Sequence, residues 1–417
     1  MNFPVVPSRE TSGPEVKSLS PTTGGIRVAL LTGAFDRPYM FGLTMALAPM
    51  GVSLDVVGGD NVDGPEMHST SGLRFLNFRK SANAPSFASK VSSILLYYAR
   101  LIKYAAADEP KIIHILWNSK FELFDRTLLM IYYKLLGKKI VLTAHNVNAG
   151  KRDSNDSRLN RLTLRIQYML TDHIFVHTEK MKQELVRDFK IKDGAVTVIP
   201  FGINNSVPNT QLTPSQARER LGIRDNEKAI LFFGALRPYK GLEYLADAFL
   251  LLAANYPEYR LIIAGERRKE SGKYVDDILQ KFGHDLTCGR VIQQIQYIPD
   301  NETELYFKAA DVLVLPYIHV FQSGVLFLAY SFGLPVVATD VGSVRDEIVD
   351  ERTGFLCKPR DPVDLARGLN RYFESDLFKS LESRRQDIRD YANAKHSWQI
   401  VGDVTRNVYS ELLGVRK

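Results

Sequence analysis

Residues 311–345 read D-V-L-V-L-P-Y-I-H-V-F-Q-S-G-V-L-F-L-A-Y-S-F-G-L-P-V-V-A-T-D-V-G-S-V-R. The apolar run 312–315, stopped by Pro316, has the pattern of a strand buried on both faces of a parallel sheet. A polar elbow follows over 319–324, and then an apolar stretch, 325–332, long enough for about two helical turns. Gly333 ends that helix and Pro335 prevents its continuation. A second apolar strand over 336–339 completes a strand–helix–strand unit. The elbow, Gln322-Ser323-Gly324-Val325, therefore stands at a helix N-terminus beyond the carboxyl end of a strand. Unpaired N–H groups and the positive end of the helix dipole meet there and make an anion site, for which phosphate is the usual occupant.

The same alternation extends outward in both directions. Residues 26–31, with R-V-A-L-L, predict a first strand that runs into T-G-A-F-D-R-P-Y, with Gly33 at the turn and a helix from 40 to 49. Strands follow over 52–57, 112–116 and 139–143, the last ending in Ala144-His145-Asn146. A histidine there either meets a ligand or makes a local hydrogen bond, because open α/β sheets place ligands beyond the carboxyl ends of strands. The polar stretch 148–158 reads as a mobile loop at the mouth of a cleft. An Asn-, Pro- and Thr-rich linker spans 204–214. A-I-L-F-F-G-A-L-R-P-Y-K-G over 229–241 is then a strand entering a Gly turn that carries Arg237 and Lys240. Two such cations are solvated loop charges or ligands of a diphosphate. L-I-I-A-G-E over 261–266 is another strand, ending in Gly265 and Glu266. Alternating strands and helices throughout predict parallel α/β architecture. The absence of G-x-G-x-x-G argues against a nicotinamide-binding unit.

Composition narrows the field further. A chain of 417 residues exceeds one ordinary core, so two domains are expected. Lys plus Arg number 54 against 47 acids, a net charge of +7, which reads as a mildly basic surface or as attraction to anions. No Lys/Arg cluster with interleaved aromatics stands out, so nucleic acid is not an expected partner. Cys288 and Cys357 fit no metal-ligand spacing, and a reduced cytoplasmic protein is the simple inference. No signal peptide and no run of about 20 apolar residues is found. Helices over 85–107 and 126–136 each combine an apolar face with lysines or arginines. They read as core-facing helices with a basic outer side, or as a surface resting on anionic lipid at the inner face of the cell membrane.

G-L-P-V-V-A-T-D-V-G-S at 333–343, followed by T-G-F-L at 353–356, resembles the nucleotide-sugar-binding unit of the family-four retaining glycosyltransferases (glycosyl transferases group 1) of the GT-B fold. P-F-G-I-N at 200–204 is similar to the turn that ends their first domain. The resemblance covers roughly residues 26–415. Residues 1–24, rich in Ser, Thr, Pro and Gly, read as a disordered tail. The resemblance implies two Rossmann-like doubly wound domains facing across a cleft: an acceptor-side domain over 25–205, a nucleotide-sugar-binding domain over 206–395, and a segment over 396–417 packing back on the first domain. It further implies a hexosyltransferase that uses a UDP- or GDP-linked sugar as co-substrate and needs no other cofactor. A saccharide or lipid-linked saccharide is the implied acceptor.

By the same resemblance His145 faces the donor sugar, and Lys240, immediately before Gly241, meets the donor diphosphate. Arg237 substitutes from two positions beyond the family's arginine. Gly33, Gly265 and Glu266 lie near the nucleotide or diphosphate, and Ser323, Gly324 and Val325 form the phosphate elbow. One departure stands out. The family carries two glutamates separated by seven residues across the elbow and its helix, and this chain has Val320 and Leu328 there. His319 and Gln322 are the nearest side chains able to take over their hydrogen bonds, and Leu328 is expected to face an apolar contact. No Asp-x-Asp pair sits in a suitable loop, so no metal is expected. A sugar-nucleotide epimerase or hydrolase would need acids around the sugar that are not found. A catalytically inactive GT-B scaffold is the alternative that the missing glutamates favour.

Overall fold

In the computed structural model the described residues are 25–415, apart from 34–36, 80–86, 108, 120, 153–155, 206 and 268–270. The tail expected over 1–24 lies outside them. Thirteen strands form two sheets. The first contains β1 (Arg27–Leu31), β2 (Ser53–Gly59), β3 (Leu73–Arg79), β4 (Ile112–Ile115), β5 (Lys139–Thr143), β6 (His173–Val176) and β7 (Val196–Val198), in the order β3-β2-β1-β4-β5-β6-β7. The second contains β8 (Lys228–Phe233), β9 (Tyr259–Ala264), β10 (Val291–Gln294), β11 (Val312–Leu315), β12 (Val336–Thr339) and β13 (Gly354–Cys357), in the order β10-β9-β8-β11-β12-β13.

Adjacent strands are parallel in both sheets, as the crossover helices require. Strand order reverses between β1 and β4 in one sheet and between β8 and β11 in the other. The loops leaving those strands open a crevice at each reversal, which is where doubly wound sheets bind ligands. β3, at the edge, is absent from the reading of the sequence above. Its L-R-F-L-N-F-R alternates without an apolar run, because an edge strand is covered less than a central one. The first helix, Arg37–Leu47, begins earlier than the expected residue 40.

The second core holds an ion pair at the start of the decisive stretch. Asp311, just before β11, accepts from Arg218 Nη1 at 3.1 and 3.2 Å and from the Ala229 N–H at 2.7 Å. The Tyr372 hydroxyl donates to its carbonyl at 2.5 Å. Both charged side chains are buried. Burial pushes the Asp311 carboxyl up against the opposing pull of Arg218.

The helix Trp398–Leu413 leaves the second sheet and lies along the Arg37–Leu47 helix. Val401, Val408 and Tyr409 enter the core on one face of the first sheet. The Tyr409 hydroxyl lies 2.5 Å from His114 Nδ1 on β4. Trp398 seats its indole against Gly42 and Gly202, where any Cβ would collide with it, and donates from Nε1 to the Ile203 carbonyl at 2.8 Å.

Candidate functional site

Beyond β11 the chain turns through Tyr317 to Gly324 and enters the helix Gly324–Ser331. The loop after β12 holds that turn in place. Thr339 Oγ1 donates to the Tyr317 carbonyl at 2.6 Å, and Ser343 meets the Phe321 carbonyl through its N–H at 3.0 Å and its hydroxyl at 2.5 Å. Gly342, at φ +60°, lies so close to the Val320 carbonyl that a side chain could not be accommodated. Thr339, Gly342 and Ser343 thus act as the clamp that shapes the elbow. Lys180 of the first domain donates to the Gly342 carbonyl, bringing the other half of the chain to the same point.

The helix start is open. Ser323 holds the N-cap position, yet its side chain does not cap; its Oγ pairs instead with the Tyr317 hydroxyl at 3.0 Å. Among the described residues the Gly324 and Val325 N–H groups find no acceptor. A Cβ on Gly324 would meet nothing within 4 Å, so a ligand can approach the backbone itself.

Opposite stands Lys240, in the 3-10 turn Pro238–Lys240 that follows β8. Gly241, at φ +69°, bends the chain sharply under the Pro316 carbonyl and turns Lys240 inward. Lys240 is buried, and among the described residues no acid lies within ion-pair distance. Burial, with Arg237 adding to it, lowers its pKa from the usual 10.5 to about 8. A buried ammonium without a counter-ion is poised for an anionic ligand. If a diphosphate needs the charged lysine, its affinity should hold below pH about 8 and fall about tenfold per pH unit above it. Calorimetric titration of UDP across that range checks this; a slope that persists in Lys240→Ala would assign it elsewhere.

Lys240, Gln322, Ser323, Gly324 and Val325 line one cavity of about 290 Å³ between the two sheets. Tyr39, Asn146 and Trp398 line it as well. Among the described residues neither the Gln322 side-chain oxygen nor its nitrogen finds a hydrogen-bond partner, although both are shielded from solvent. Val320 and Leu328, the positions where resemblance expects glutamate, line the same cavity. Leu328 belongs to the apolar core as expected, but it also faces this cavity.

His145 lies in an adjoining cavity of about 360 Å³, to which Asn146 is common. Its ring stacks on Trp117 at 4.1 Å and 4° between planes. His177 fixes its tautomer. His177 Nδ1 faces the Ile199 carbonyl at 3.3 Å and must carry the proton, so His177 Nε2 is an acceptor. His145 Nδ1, 3.1 Å from that atom, is then the donor. This leaves His145 Nε2 as a lone pair, buried and without a partner among the described residues. Burial pushes both imidazoles down, His177 to about 4 and His145 well below the usual range, in keeping with two neutral rings.

The remaining candidates are placed nearby but outside the lining of the first cavity. Gly33 lies against the Trp117 and Asn118 carbonyls. The Glu266 backbone carbonyl accepts the Leu236 N–H at 2.8 Å and so ties the cation loop to the end of β9, while Gly265 abuts Gly234. Arg237 precedes the turn of Lys240, and His319 is exposed against Phe321. Tyr39, Asn146, Tyr317 and Trp398 were not among the candidates. Only Asn146, beside the histidine at a strand's end, carried a local signal in the sequence. Among the described residues no three His, Cys, Asp or Glu side chains gather to hold a metal ion.

Two family models match the chain. Glycosyl transferases group 1 covers residues 215–395 and Glycosyltransferase Family 4 covers 38–207. An uncharacterized glycosyltransferase of Methanocaldococcus jannaschii is 28% identical over 245 residues, 57% of this chain and 60% of that protein. The D-inositol 3-phosphate glycosyltransferase of Corynebacterium jeikeium is 27% identical over 286 residues, 65% of this chain and 66% of that protein. The matched part thus spans slightly under two thirds of these relatives. Among solved structures, sucrose-phosphate synthase from Thermosynechococcus elongatus superposes with a TM-score of 0.73 at 19% identity, covering 94% of this chain and all of that one. HepE of Anabaena in complex with UDP and glucose gives 0.71 at 17% identity, covering 93% and 99%.

Proposed function

Because the chain belongs to the group 1 and family 4 glycosyltransferases of the GT-B fold, we propose that it moves a hexosyl group from a nucleotide-diphosphate sugar to a saccharide or lipid-linked saccharide, with retention and without a metal. The observation that carries this reading is the convergence of three unmet groups on one cavity. They are the Lys240 ammonium, the first N–H groups of the Gly324–Ser331 helix and the Gln322 amide. UDP or GDP linkage is favoured, and HepE of Anabaena, structurally similar, is described with UDP.

Glycosyl transfer from such a donor asks the protein to stabilise a departing diphosphate, place the acceptor hydroxyl and exclude water. Lys240 and the helix amides face the growing charge, with Arg237 contributing from the same loop. The bare Nε2 of His145 accepts from a sugar hydroxyl and orients it. With diphosphate charge met by a lysine and backbone amides, a divalent ion is not required.

Titrating UDP and GDP in the presence of EDTA, with thermal unfolding as readout, tests the reading. A hundredfold excess over Kd should raise Tm by about 3 °C for the bound nucleotide in a chain of this length. No shift with either, or a shift that requires Mg²⁺, overturns the donor or the metal-independent part respectively. Gln322 is the residue that distinguishes a working site from an inactive scaffold. Gln322→Ala should raise donor KM or lower kcat at least tenfold, as loss of a buried hydroxyl's partner implies, with Tm nearly unchanged. Steady-state kinetics check this; wild-type constants in the variant would remove Gln322 from the site.

A further inference from the structure

We propose that the first domain docks on an anionic lipid bilayer through one helical layer, formed by Phe87–Ala105, Leu128–Leu135 and Arg158–Leu170. The inference deepens the lipid-linked branch of the proposed function and stands on residues outside the donor cavity. These three helices cover one face of the first sheet. Tyr97, Leu101, Met130, Tyr133, Leu164 and Tyr168 bury their inner sides in a common core. Tyr132 donates to the Ile102 carbonyl at 3.1 Å, joining two of the helices edge to edge.

The outer side of the layer is unusual in two independent respects. First, it is apolar. Of the 18 exposed large apolar side chains among the described residues, ten lie on these three helices. Leu95 is 61% exposed, Leu128 62%, Leu135 82% and Leu162 56%, so every helix of the layer contributes. A surface patch of this kind on an otherwise ordinary protein marks a binding face. Second, it repels cations and attracts anions. The three helices contain no Asp or Glu at all, against about one acid in nine residues for the chain as a whole, and they carry seven Lys and Arg. Lys134 is paired with Asp172 and Arg161 with Asp156, whereas Lys103, Arg158 and Arg165 have no acidic partner among the described residues.

Apolar side chains interleaved with long cationic ones, on helices lying side by side, match a headgroup layer. The leucines enter the acyl boundary while Lys and Arg extend to the phosphates. A protein partner would have to present an acidic, apolar sheet of the same extent. Among the described residues no helix is long and apolar enough to cross a membrane, so contact through these helices is a surface one. The geometry also connects this face to the second cavity. Glu122, Arg126, Leu164 and Gln167 line it, and they belong to the Glu122–Arg126 and Arg158–Leu170 helices at the edge of the layer. A docked chain meets a lipid-linked acceptor on the side where that acceptor is anchored.

Sedimentation of the full chain with vesicles tests the proposal, comparing phosphatidylcholine alone with phosphatidylcholine containing phosphatidylglycerol. The protein should pellet with the anionic vesicles, less so at high salt, and stay in solution with the neutral ones. Lys103→Gln, Arg158→Gln and Arg165→Gln together should weaken partition about 100-fold. Leu95→Glu, Leu128→Glu and Leu162→Glu together should weaken it at least tenfold. Both triple variants should keep the wild-type Tm and the wild-type response to UDP, so a failure of the donor reading is seen separately. Absence of pelleting, equal pelleting with neutral vesicles, or unchanged partition in the variants would overturn the proposal. So would self-association of the wild type that the leucine substitutions abolish, which assigns the face to a second copy of the chain.

Discussion

Replacing Lys240 by alanine should lower kcat/KM for the nucleotide sugar about 100-fold or more, while leaving the protein as stable as before or more stable. The two halves of this expectation come from one fact. Lys240 is a buried ammonium with no acidic partner among the described residues, which costs free energy in the empty protein. Its charge is repaid only when a diphosphate occupies the cavity, and most fully when negative charge grows on the leaving group. Removing it therefore deletes stabilisation of the transition state and relieves an unfavourable burial in the ground state. Steady-state kinetics together with thermal unfolding check the pair of effects. Near wild-type turnover in Lys240→Ala would end the assignment of this loop. A large fall in Tm would show instead that the lysine holds the turn together.

The second large effect is structural. Asp311→Ala should destabilise the chain by about 3–5 kcal/mol, because it strands the buried Arg218 guanidinium without its counter-charge. The variant also deprives the Ala229 N–H, at the start of β8, of its acceptor. Chemical denaturation should show the loss as a lower midpoint. Asp311→Asn, which keeps an acceptor but no charge, should fall between wild type and alanine. Equal stability of all three would mean that the pair contributes nothing. Because Asp311 opens the segment that leads to the elbow, donor affinity should weaken alongside stability.

Much of this was legible in the residues themselves. The unit from β11 to β12 could be read because apolar runs, a Pro stop and a Gly-Pro helix end are local signals, acting over a few residues. Position of the elbow beyond a strand followed from the same signals. What was not legible depends on pairs far apart in the chain. No local feature of Trp398 announces that it fills a space kept clear by Gly42 and Gly202. The missing partners of Gln322 and the burial of Lys240 are properties of a three-dimensional surround. β3 escaped notice because an edge strand need not be continuously apolar. The resemblance named Arg237 and Lys240 alike, and side-chain chemistry offered His319 beside Gln322, yet of these the cavity is lined by Lys240 and Gln322. A motif specifies which loop comes near, while backbone geometry decides which of its side chains turns inward.

The helix Trp398–Leu413 has a consequence for biosynthesis. His114 and Tyr409 touch across 295 residues of chain. At about 5–20 residues per second, translation needs about 15–60 s to bridge that gap. Throughout that interval Val28 and Leu30 on the first sheet, and Leu43 on the Arg37–Leu47 helix, lack the covering supplied by Val401, Val408 and Tyr409. The first domain is thus sealed only once the helix Trp398–Leu413 has been made, and until then the nascent chain carries an open apolar surface.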